Sequence, residues 1–149
     1  MPLLVQDFGI AEYFEKFGSF QITEDQPLVS IITTAYNNTR FSAKYFETIN
    51  KQTYKNIEVI YSDQHSTDDT YENAKPLLKH GKILKVIVDV GCAEGNNRCV
   101  RQAKGKFVFL LGPDTWVDEK CVENLVKTAL ENENTIYAPK QMSYDGTVI

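Results

Sequence analysis

The chain has 149 residues, 42% of them hydrophobic, which is enough to bury the core of one domain and too few for two. Its net charge of −4 excludes an extended nucleic-acid-binding face, because such faces concentrate lysine and arginine. No apolar run has the length of a membrane span, and the cysteines Cys92, Cys99 and Cys121 lack the paired spacing of a zinc site, so we expect a reducing, cytoplasmic location.

Residues 1–26 precede the regular part of the sequence and are expected to form a helical extension. Their apolar side chains predict a short amphipathic helix that ends near Gly18. Such a helix would pack on the outside of the domain, or would contact a membrane surface or a second copy of the chain. The apolar positions are Phe8, Ile10, Tyr13, Phe14 and Phe17.

Residues 27–149 are expected to form one α/β domain. Short apolar runs rich in β-branched residues alternate with helical stretches, which is the pattern of repeated βα units. Because these runs are apolar throughout, we expect parallel strands that are buried on both faces. The predicted strands span residues 28–33, 57–61, 83–88, 107–111 and 135–138.

Helices are predicted between these strands from apolar stripes and from capping residues. Ser66 and Asp69 resemble a capping box for a helix that runs to about residue 74. Pro76 is then expected to break or kink this helix. Asp118 is expected to cap a helix that runs to about residue 132. The apolar stripes that should lie against the sheet are Phe41, Tyr45 and Ile49, and then Cys121, Val122, Leu125 and Ala129.

Polar side chains follow the predicted strands at the place where an open α/β sheet binds ligands, beyond the carboxyl ends of its parallel strands. Tyr36 offers an aromatic face that can stack on a nucleobase, and Asp63 offers a carboxylate that can accept from a ring N–H. Asp114 can hold a hard divalent cation, Mn²⁺ or Mg²⁺, that offsets the charge of a diphosphate. Hydroxyl and amide groups accompany them at Thr34, Asn37, Ser66, Thr67 and Asn97.

Each of these residues also has a purely structural interpretation. Tyr36 could pack at the sheet edge as an ordinary buried aromatic residue. Asp63 could cap a turn or a helix, as Asp68 and Asp69 are expected to do before a helix. Asp114 could be a turn residue after Pro113. Cys92 and Cys99 are expected to pack on a helix face as small apolar groups, and the two histidines to lie in exposed loops.

Four segments carry a resemblance to a known family. Residues 27–37, PLVSIITTAYN, are similar to the pattern P-x-V-S-I-I-x-P-x-Y-N, and residues 50–60, NKQTYKNIEVI, are similar to N-Q-T-Y-x-N-x-E-[IV]-I. Residues 62–70, SDQHSTDDT, stand where that family has V-D-D-G-S-T-D-x-T, and residues 103–111, AKGKFVFLL, are similar to A-x-G-E-Y-x-x-F-L. The patterns and their order are those of family 2 glycosyltransferases, so residues 27–149 resemble that family.

The resemblance implies a fold, a reaction and a set of binding residues. The implied fold is GT-A, a Rossmann-like three-layer α/β sandwich with a mostly parallel central sheet. Tyr36 and Asp63 would face the base of a nucleotide-diphospho-sugar, most simply a UDP-sugar, and Asp114 would face the divalent metal and diphosphate. Thr34, Asn37 and Asn97 would complete the nucleotide site. The enzyme would transfer the sugar to an acceptor hydroxyl with inversion at the anomeric carbon.

In that family the general base comes from the half of the domain that follows these segments. We therefore expect this chain to be the nucleotide-sugar-binding half of the enzyme, either as a fragment or as a shortened relative, and we name no residue as the catalytic base. The donor sugar, the acceptor and the oligomeric state are not specified by these residues.

The chain departs from the family patterns at several site positions. The metal motif D-x-D reads Gly112-Pro113-Asp114, so one carboxylate remains where two are usual. Gln64 replaces the second acid of D-D-G-S, His65 replaces its glycine, and Asn96 replaces the arginine of A-R-N. Two other functions therefore stay open: a non-catalytic module that kept the nucleotide pocket or only the fold, and a doubly wound receiver-type domain. The second would require an acidic pair after the first strand, which is absent.

Overall fold

The computed structural model describes residues 10–16, 26–132 and 134–147. These residues form one five-stranded sheet with four helices. The strands are β1 (Ile10–Lys16), β2 (Val29–Ala35), β3 (Ile57–Asp63), β4 (Gly81–Val86) and β5 (Phe107–Leu110). The helices are α1 (Thr39–Asn50), α2 (Thr70–Leu77), α3 (Gly91–Gln102) and α4 (Cys121–Glu131). None of the described helices is long and apolar enough to cross a bilayer.

The sheet is mostly parallel and has the strand order β1-β4-β3-β2-β5. Only β1 runs antiparallel, along β4. When the βα units are counted from β2, the parallel strands have the order 3-2-1-4, which is the Rossmann arrangement. A receiver domain has the order 2-1-3, so the receiver alternative is wrong for this sheet. The expected α/β architecture with a mostly parallel sheet is confirmed.

Strand register places the carboxyl ends of the inner strands level with one another. Ala35, the last residue of β2, is paired with Asp63, the last residue of β3. On the other side of β2, Ile32 is paired with Leu110 at the end of β5. The order reverses between β2 and β5, and such a reversal opens a crevice beyond the strand ends. The loops after β2, β3 and β5 therefore begin at one edge of the sheet.

Two apolar clusters cover the two faces of the sheet and make three layers. The larger cluster joins odd-numbered strand residues to α1, α2 and α4, and its centre is formed by the rings of Tyr45, Phe46 and Tyr61, whose centroids lie 5.1–5.7 Å apart. The smaller cluster contains Cys99 of α3 and three strand residues, Ile32, Ile60 and Leu84. Alternate residues of a strand point to opposite faces, which explains why both faces are apolar.

A buried polar cluster ties the start of β5 to the middle of the sheet. Glu58 has no exposed surface, and its Oε1 accepts hydrogen bonds from Ser30 Oγ at 2.6 Å and from the backbone N–H of Lys104 at 2.7 Å. The N–H of Gly105 donates to Ser30 Oγ at 2.8 Å. A buried carboxylate oxygen is tolerated where it accepts hydrogen bonds in this way. These bonds fix where β5 enters the sheet, and hence where the loop after β5 leaves it.

The helix predicted near the N-terminus is wrong for residues 10–16, which form β1; residues 1–9 and 17–25 lie outside the described residues. Pairing with β4 satisfies the backbone groups of β1 that face β4 and gives β4 a second neighbour. The register shifts between Ile10 and Glu12, so Ile10 packs against the smaller cluster and Phe14 against the larger one. In a helix these two residues, four apart, would share one side, whereas the register shift in β1 places them on opposite faces of the sheet.

The remaining strand predictions hold in four places and fail in one. Strands were expected at the positions of β2, β3, β4 and β5, and all four are present, although β4 begins and ends two residues earlier than predicted. Residues 135–138 are not a strand, and Ile136 there is 99% exposed. The strand β5 is buried on one face only, because Val108 and Leu110 are 42% and 60% exposed.

The predicted helix ends differ from the structure in their capping residues. Helix α2 begins at Thr70, and Asp68 rather than a Ser66–Asp69 box accepts from the N–H of Thr70, at 3.0 Å. Pro76 lies inside the last turn of α2 and does not end it. Asp118 does not occupy the N-cap of α4, since Lys120 does; Asp118 Oδ1 accepts from the N–H of Lys120 at 2.9 Å. A carboxylate two residues before a helix forms such a turn readily.

Candidate nucleotide-binding site

The loop after β2 carries Tyr36 and is tied to the loop after β3. Tyr36 is 49% exposed, so it does not pack as a buried aromatic residue. Asn37 has a φ of 51°, in the left-handed region that asparagine tolerates better than most residues. The N–H of Asn37 donates to Ser66 Oγ at 2.9 Å, and Asn37 Oδ1 accepts from the N–H of Thr67 at 2.9 Å. Asn37 therefore positions the loop that presents Tyr36, and its contact with a nucleotide stays a prediction.

Asp63 is the last residue of β3, and its buried carboxylate uses only one of its two oxygens in hydrogen bonds with the described residues. Its exposed fraction is 0%. Oδ2 accepts from the N–H of Ser66 at 3.4 Å, so the predicted turn-capping role is part of what Asp63 does. Oδ1 has no hydrogen-bond partner among the described residues. Burial raises the pKa of Asp63, against the opposing effect of the Ser66 hydrogen bonds and of Lys85. A buried acceptor without a partner is costly, and such groups call for a functional reason.

The two residues that follow Asp63 both differ from the family pattern. His65 is exposed and has a φ of 61°, the conformation for which the family's glycine is suited. Gln64 is 2% exposed; its N–H donates to the carbonyl of Ala35 at 2.8 Å and its Nε2 donates to Ser62 Oγ at 2.7 Å. Gln64 Oε1 lacks a hydrogen-bond partner among the described residues. Sequence reasoning noted the substitution and missed this second unused acceptor.

The amino-terminal half of α3 lies directly on the ends of β2 and β3. Thr34 Oγ1 contacts Asn96 Oδ1 at 3.4 Å and Cys92 Sγ at 3.7 Å. A Cβ built on Gly95 would lie 2.6 Å from Thr34 Cγ2 and 3.1 Å from the Gln64 side-chain amide. Only glycine permits this approach without a shift of its neighbours. Gly95 was not singled out from the sequence, and its place at the alanine position of A-R-N is the signal that could have found it.

The structure also separates residues of α3 that the sequence left undistinguished. Asn97, predicted to bind the nucleotide, is exposed on α3, whereas its neighbour Asn96 contacts Thr34. Cys99 is buried in the smaller cluster as expected. Cys92 is exposed and does not pack as an apolar group, so that prediction is wrong. Residues 92, 96 and 99 share one face of α3, so the difference lies along the helix axis: Cys92 is in the first turn, beside Thr34 at the end of β2, whereas Cys99 is two turns further on and packs on the sheet.

Asp114 lies in the turn after β5, on the other side of β2 from Asp63. It is exposed, and the N–H of Thr115 donates to the carbonyl of Gly112 at 3.1 Å, so the turn interpretation of this segment holds. A Cβ built on Gly112 would lie 3.0 Å from Asp114 Oδ1 and 3.0 Å from Thr115 Oγ1. The two side-chain oxygen atoms therefore lie close to Gly112, at a position that any Cβ would crowd. Within the described ranges, no group of three histidine, cysteine, aspartate or glutamate side chains is placed to hold a metal.

We call the rim the edge of the sheet formed by the carboxyl ends of β2, β3 and β5 and the loops that follow them. Most of the predicted residues lie together on one side of this rim, and Asp114 lies on the other. Thr34, Tyr36, Asn37 and Asp63 belong to one network of paired strand ends and linked loops. Asp114 flanks the crevice from the side of β5. A separate cleft of about 200 Å³ lies near the amino end of β3, lined by Ile49, Tyr54, Ile57, Val59, Lys79 and other residues. We place the site at the rim because ligands of parallel sheets bind beyond the carboxyl ends of the strands.

Comparison with known sequences shows the same family over most of the chain. The sequence profile described as Glycosyl transferase family 2 matches residues 30–148. Glycosyltransferase GlyG of Streptococcus pneumoniae is 28% identical over 121 residues, which cover 79% of this chain and 40% of that protein. The UDP-Glc:alpha-D-GlcNAc-diphosphoundecaprenol beta-1,3-glucosyltransferase WfaP of Escherichia coli is 38% identical over 96 residues, 62% of this chain and 38% of that protein. The chain thus spans about two fifths of the length of these curated relatives.

Solved structures of GT-A glycosyltransferases share the fold. Residues 1–349 of S. aureus TarS superpose with a TM-score of 0.67 at 20% identity, over 77% of this chain and 39% of that TarS segment. The mannosyltransferase PcManGT from Pyrobaculum calidifontis, solved with GDP-Man and Mn²⁺, superposes with a TM-score of 0.66 at 23% identity, over 75% of this chain and 36% of PcManGT. With the profile match over residues 30–148, these likenesses establish that the chain has the GT-A fold and belongs to glycosyl transferase family 2.

Proposed function

We propose that the whole protein is an inverting glycosyltransferase and that the rim described here binds its UDP-sugar donor. The observation that carries the proposal is the Oδ1 of Asp63, which has no hydrogen-bond partner among the described residues and is fully buried at a strand end, level with the residue before the half-exposed Tyr36. Such an acceptor is suited to a donor in a ligand. The ring N–H of uracil is such a donor, and the Tyr36 ring supplies a stacking face for the same base.

The residues around this pair hold it in position. Asn37, Ser66 and Thr67 link the loops after β2 and β3, so the Tyr36 ring and the Asp63 carboxylate keep a fixed relation. We propose that Thr34, Asn37 and Asn97 contribute further polar contacts to the nucleotide. TarS has been solved with UDP and with UDP-GlcNAc, which supports a nucleotide-sugar ligand for this fold.

We propose that a divalent cation, Mn²⁺ or Mg²⁺, accompanies the diphosphate at Asp114. The residues present fit such an ion by their chemistry: the Asp114 carboxylate and the Thr115 hydroxyl both lie close to Gly112, and hard cations prefer oxygen ligands. One carboxylate is sufficient where substrate phosphates and water complete the coordination. When bound, the ion would offset the negative charge that develops on the departing diphosphate.

Inversion follows from a single displacement. The acceptor oxygen would attack the anomeric carbon on the face opposite the diphosphate, so one bond forms as the other breaks and the configuration is reversed. The rim residues bind and orient the donor for this step. We assign the general base that removes the acceptor proton to no residue of this chain, and we keep the cytoplasmic location as a prediction.

Gly112 favours a second candidate function. Without the first carboxylate of the metal motif, the domain could bind a nucleotide-sugar and carry out no transfer, or could retain only the fold. The two candidates differ in whether nucleotide binding depends on the metal.

Thermal melting of the chain with and without UDP and MnCl₂ tests the proposal. A ligand at about one hundred times its Kd stabilises the folded state by about 2.7 kcal/mol, which corresponds to a rise in Tm of roughly 5–10 °C for a domain of this size. We expect UDP with Mn²⁺ to raise the Tm, and UDP alone to raise it less. A shift of equal size with and without the metal would favour the binding module, and no shift with any nucleotide would favour a purely structural domain.

Two variants locate the ligands. Asp114→Asn should remove the metal-dependent part of the shift and leave the part due to UDP alone. Glu119→Gln removes the same charge from another exposed carboxylate, just before α4, and should leave both parts unchanged. Equal effects of the two variants would show that Asp114 acts only through net charge, and would contradict its assignment to the metal.

A further inference from the structure

A stacked aromatic pair stands beside the proposed metal residue, outside the nucleotide rim described above. The rings of Trp116 and Tyr144 lie 4.8 Å apart between centroids, with an interplanar angle of 36°. Both are solvent-accessible: Trp116 is 43% exposed and Tyr144 is 70% exposed. The Tyr144 hydroxyl donates to the backbone carbonyl of Asp114 at 2.9 Å. The pair therefore borders the turn that carries the Asp114 carboxylate.

The turn that carries Tyr144 is held rigidly by its own hydrogen bonds. The N–H of Ser143 donates to the carbonyl of Thr147 at 2.8 Å, and the N–H of Gly146 donates to the carbonyl of Ser143 at 2.9 Å. Asp145 Oδ1 accepts from the N–H of Thr147 at 2.9 Å and from Ser143 Oγ. These bonds lower the pKa of Asp145 to about 2, so the carboxylate is charged at neutral pH. An aromatic face on a fixed turn loses little conformational entropy when it binds a ligand.

The surroundings of the pair match the two-sided chemistry of a pyranose ring. A pyranose has a flat face of C–H groups and a border of hydroxyls. Trp116 and Tyr144 present exposed aromatic faces, and aromatic rings with polar edges serve such mixed ligands well. Their chain neighbours supply hydrogen-bond acceptors, since Asp114 and Thr115 precede Trp116 and Asp145 follows Tyr144. A hydrocarbon chain would gain nothing from these acceptors and would pay to desolvate them.

We propose that the Trp116–Tyr144 pair is a platform on which a pyranose ring of the acceptor stacks, so that the acceptor is a saccharide. This inference rests on the proposed function, because it takes the position of the pair beside Asp114 to be the acceptor side of the donor diphosphate. The proposal adds to that function the chemical class of the acceptor, a saccharide.

Trp116 is the single tryptophan of the chain, so its fluorescence reports on the platform without a label. Cellotetraose, four β-linked glucopyranose units, is titrated into the 149-residue chain, with sorbitol at matched hydroxyl concentration as an open-chain control. We expect a saturable change in Trp116 emission with cellotetraose and none with sorbitol. No saturable change at millimolar cellotetraose, or the same change with sorbitol, would overturn the proposal.

Variants at Tyr144 leave the reporter in place. Tyr144→Ala should weaken the Kd for cellotetraose at least fivefold, which is about 1 kcal/mol at 1.4 kcal/mol per tenfold. Tyr144→Phe keeps the ring and loses only a hydrogen bond within the protein, to the carbonyl of Asp114, so its Kd should stay within about twofold of the wild-type value. Tyr137→Ala, a tyrosine removed from the rim whose hydroxyl donates to the carbonyl of Asn132, should leave the Kd unchanged. An unchanged Kd in Tyr144→Ala, with an unchanged Tm, would overturn the platform.

Two further measurements separate this proposal from others. Methyl and octyl β-D-glucopyranoside are compared below micelle concentration; binding of the octyl glycoside alone would assign the surface to a lipid chain and overturn the saccharide. The UDP-dependent Tm shift is recorded on the same samples. A UDP shift without a saccharide response overturns the platform and leaves the donor site standing, whereas a saccharide response without a UDP shift retains the platform and overturns the proposed donor site.

Discussion

Asp63→Asn should make the protein more stable at neutral pH and weaken its binding of UDP. The carboxylate has no exposed surface, and one of its oxygens has no partner among the described residues. An unsatisfied buried acceptor costs about 1–3 kcal/mol, and a neutral amide in the same place costs less than a charge. We expect a gain of about 1 kcal/mol, which corresponds to a rise in Tm of roughly 2–4 °C at this chain length. The UDP Kd should rise at least tenfold, since a hydrogen bond to a charged group contributes about 1.5–3 kcal/mol.

The pH dependence of the stability difference between Asp63→Asn and the wild type shows whether the Asp63 carboxylate causes that difference. Burial raises the folded-state pKa of Asp63 above its usual value of 3.8, so the folded protein binds more protons than the unfolded chain between those two values. The free energy of unfolding of the wild type therefore falls as pH rises through this interval, and the penalty is fully present above it. An asparagine at this position does not titrate, so the advantage of Asp63→Asn should grow with pH and then level off.

Asp68→Asn is the matched control, because Asp68 lies in the same loop and has the opposite shift. Burial opposes ionisation there, but hydrogen bonds from Thr70 and Thr39 outweigh it and lower the pKa of Asp68. Its stabilising contribution is present above the usual carboxyl pKa and is lost as pH falls through the lowered one. Urea unfolding at a series of pH values measures both variants, and isothermal titration measures UDP. A less stable Asp63→Asn at neutral pH, or a stability difference that does not vary with pH, would refute the reasoning.

Two further predictions test the contact between α3 and the strand ends. Gly95→Ala adds a Cβ 2.6 Å from Thr34 Cγ2, so it should lower the free energy of unfolding by about 1–3 kcal/mol and weaken UDP binding. Urea unfolding measures the stability, and isothermal titration measures the binding. An unchanged stability would show that α3 does not lie on β2 as described. Cys92 is exposed, whereas Cys99 is buried with a pKa raised to about 12 by that burial, so iodoacetamide should modify Cys92 first in the folded protein, and UDP should slow the reaction because Cys92 contacts Thr34. Mass spectrometry of the digested protein reads out the modified thiol, and equal labelling of both thiols would contradict the described burial.

The amino-acid sequence was sufficient to predict the parallel sheet and the loops at which its ligands bind. The strands β2, β3, β4 and β5 are short β-branched runs, and their identity is a local property that depends on the chain within a few residues. Because every parallel strand ends at the same edge, naming the strands already named the loops that carry Tyr36, Asp63 and Asp114. The family patterns added the nature of the ligand, which strand spacing cannot indicate.

Only the tertiary structure decided which atoms at that edge form hydrogen bonds or close contacts within the protein and which remain available to a ligand. The segment at 10–16 has the apolar spacing of a helix, yet it becomes a strand because β4 offers backbone partners from 65 or more residues away along the chain. Among the described residues Ser66 donates to Asp63 Oδ2 and none donates to Oδ1, and Gly95 is required because α3 approaches Thr34 from a distant part of the sequence. Local periodicity sets the elements, but hydrogen-bond satisfaction and close contacts depend on pairs of residues that folding brings together, and no single stretch of sequence records such pairs.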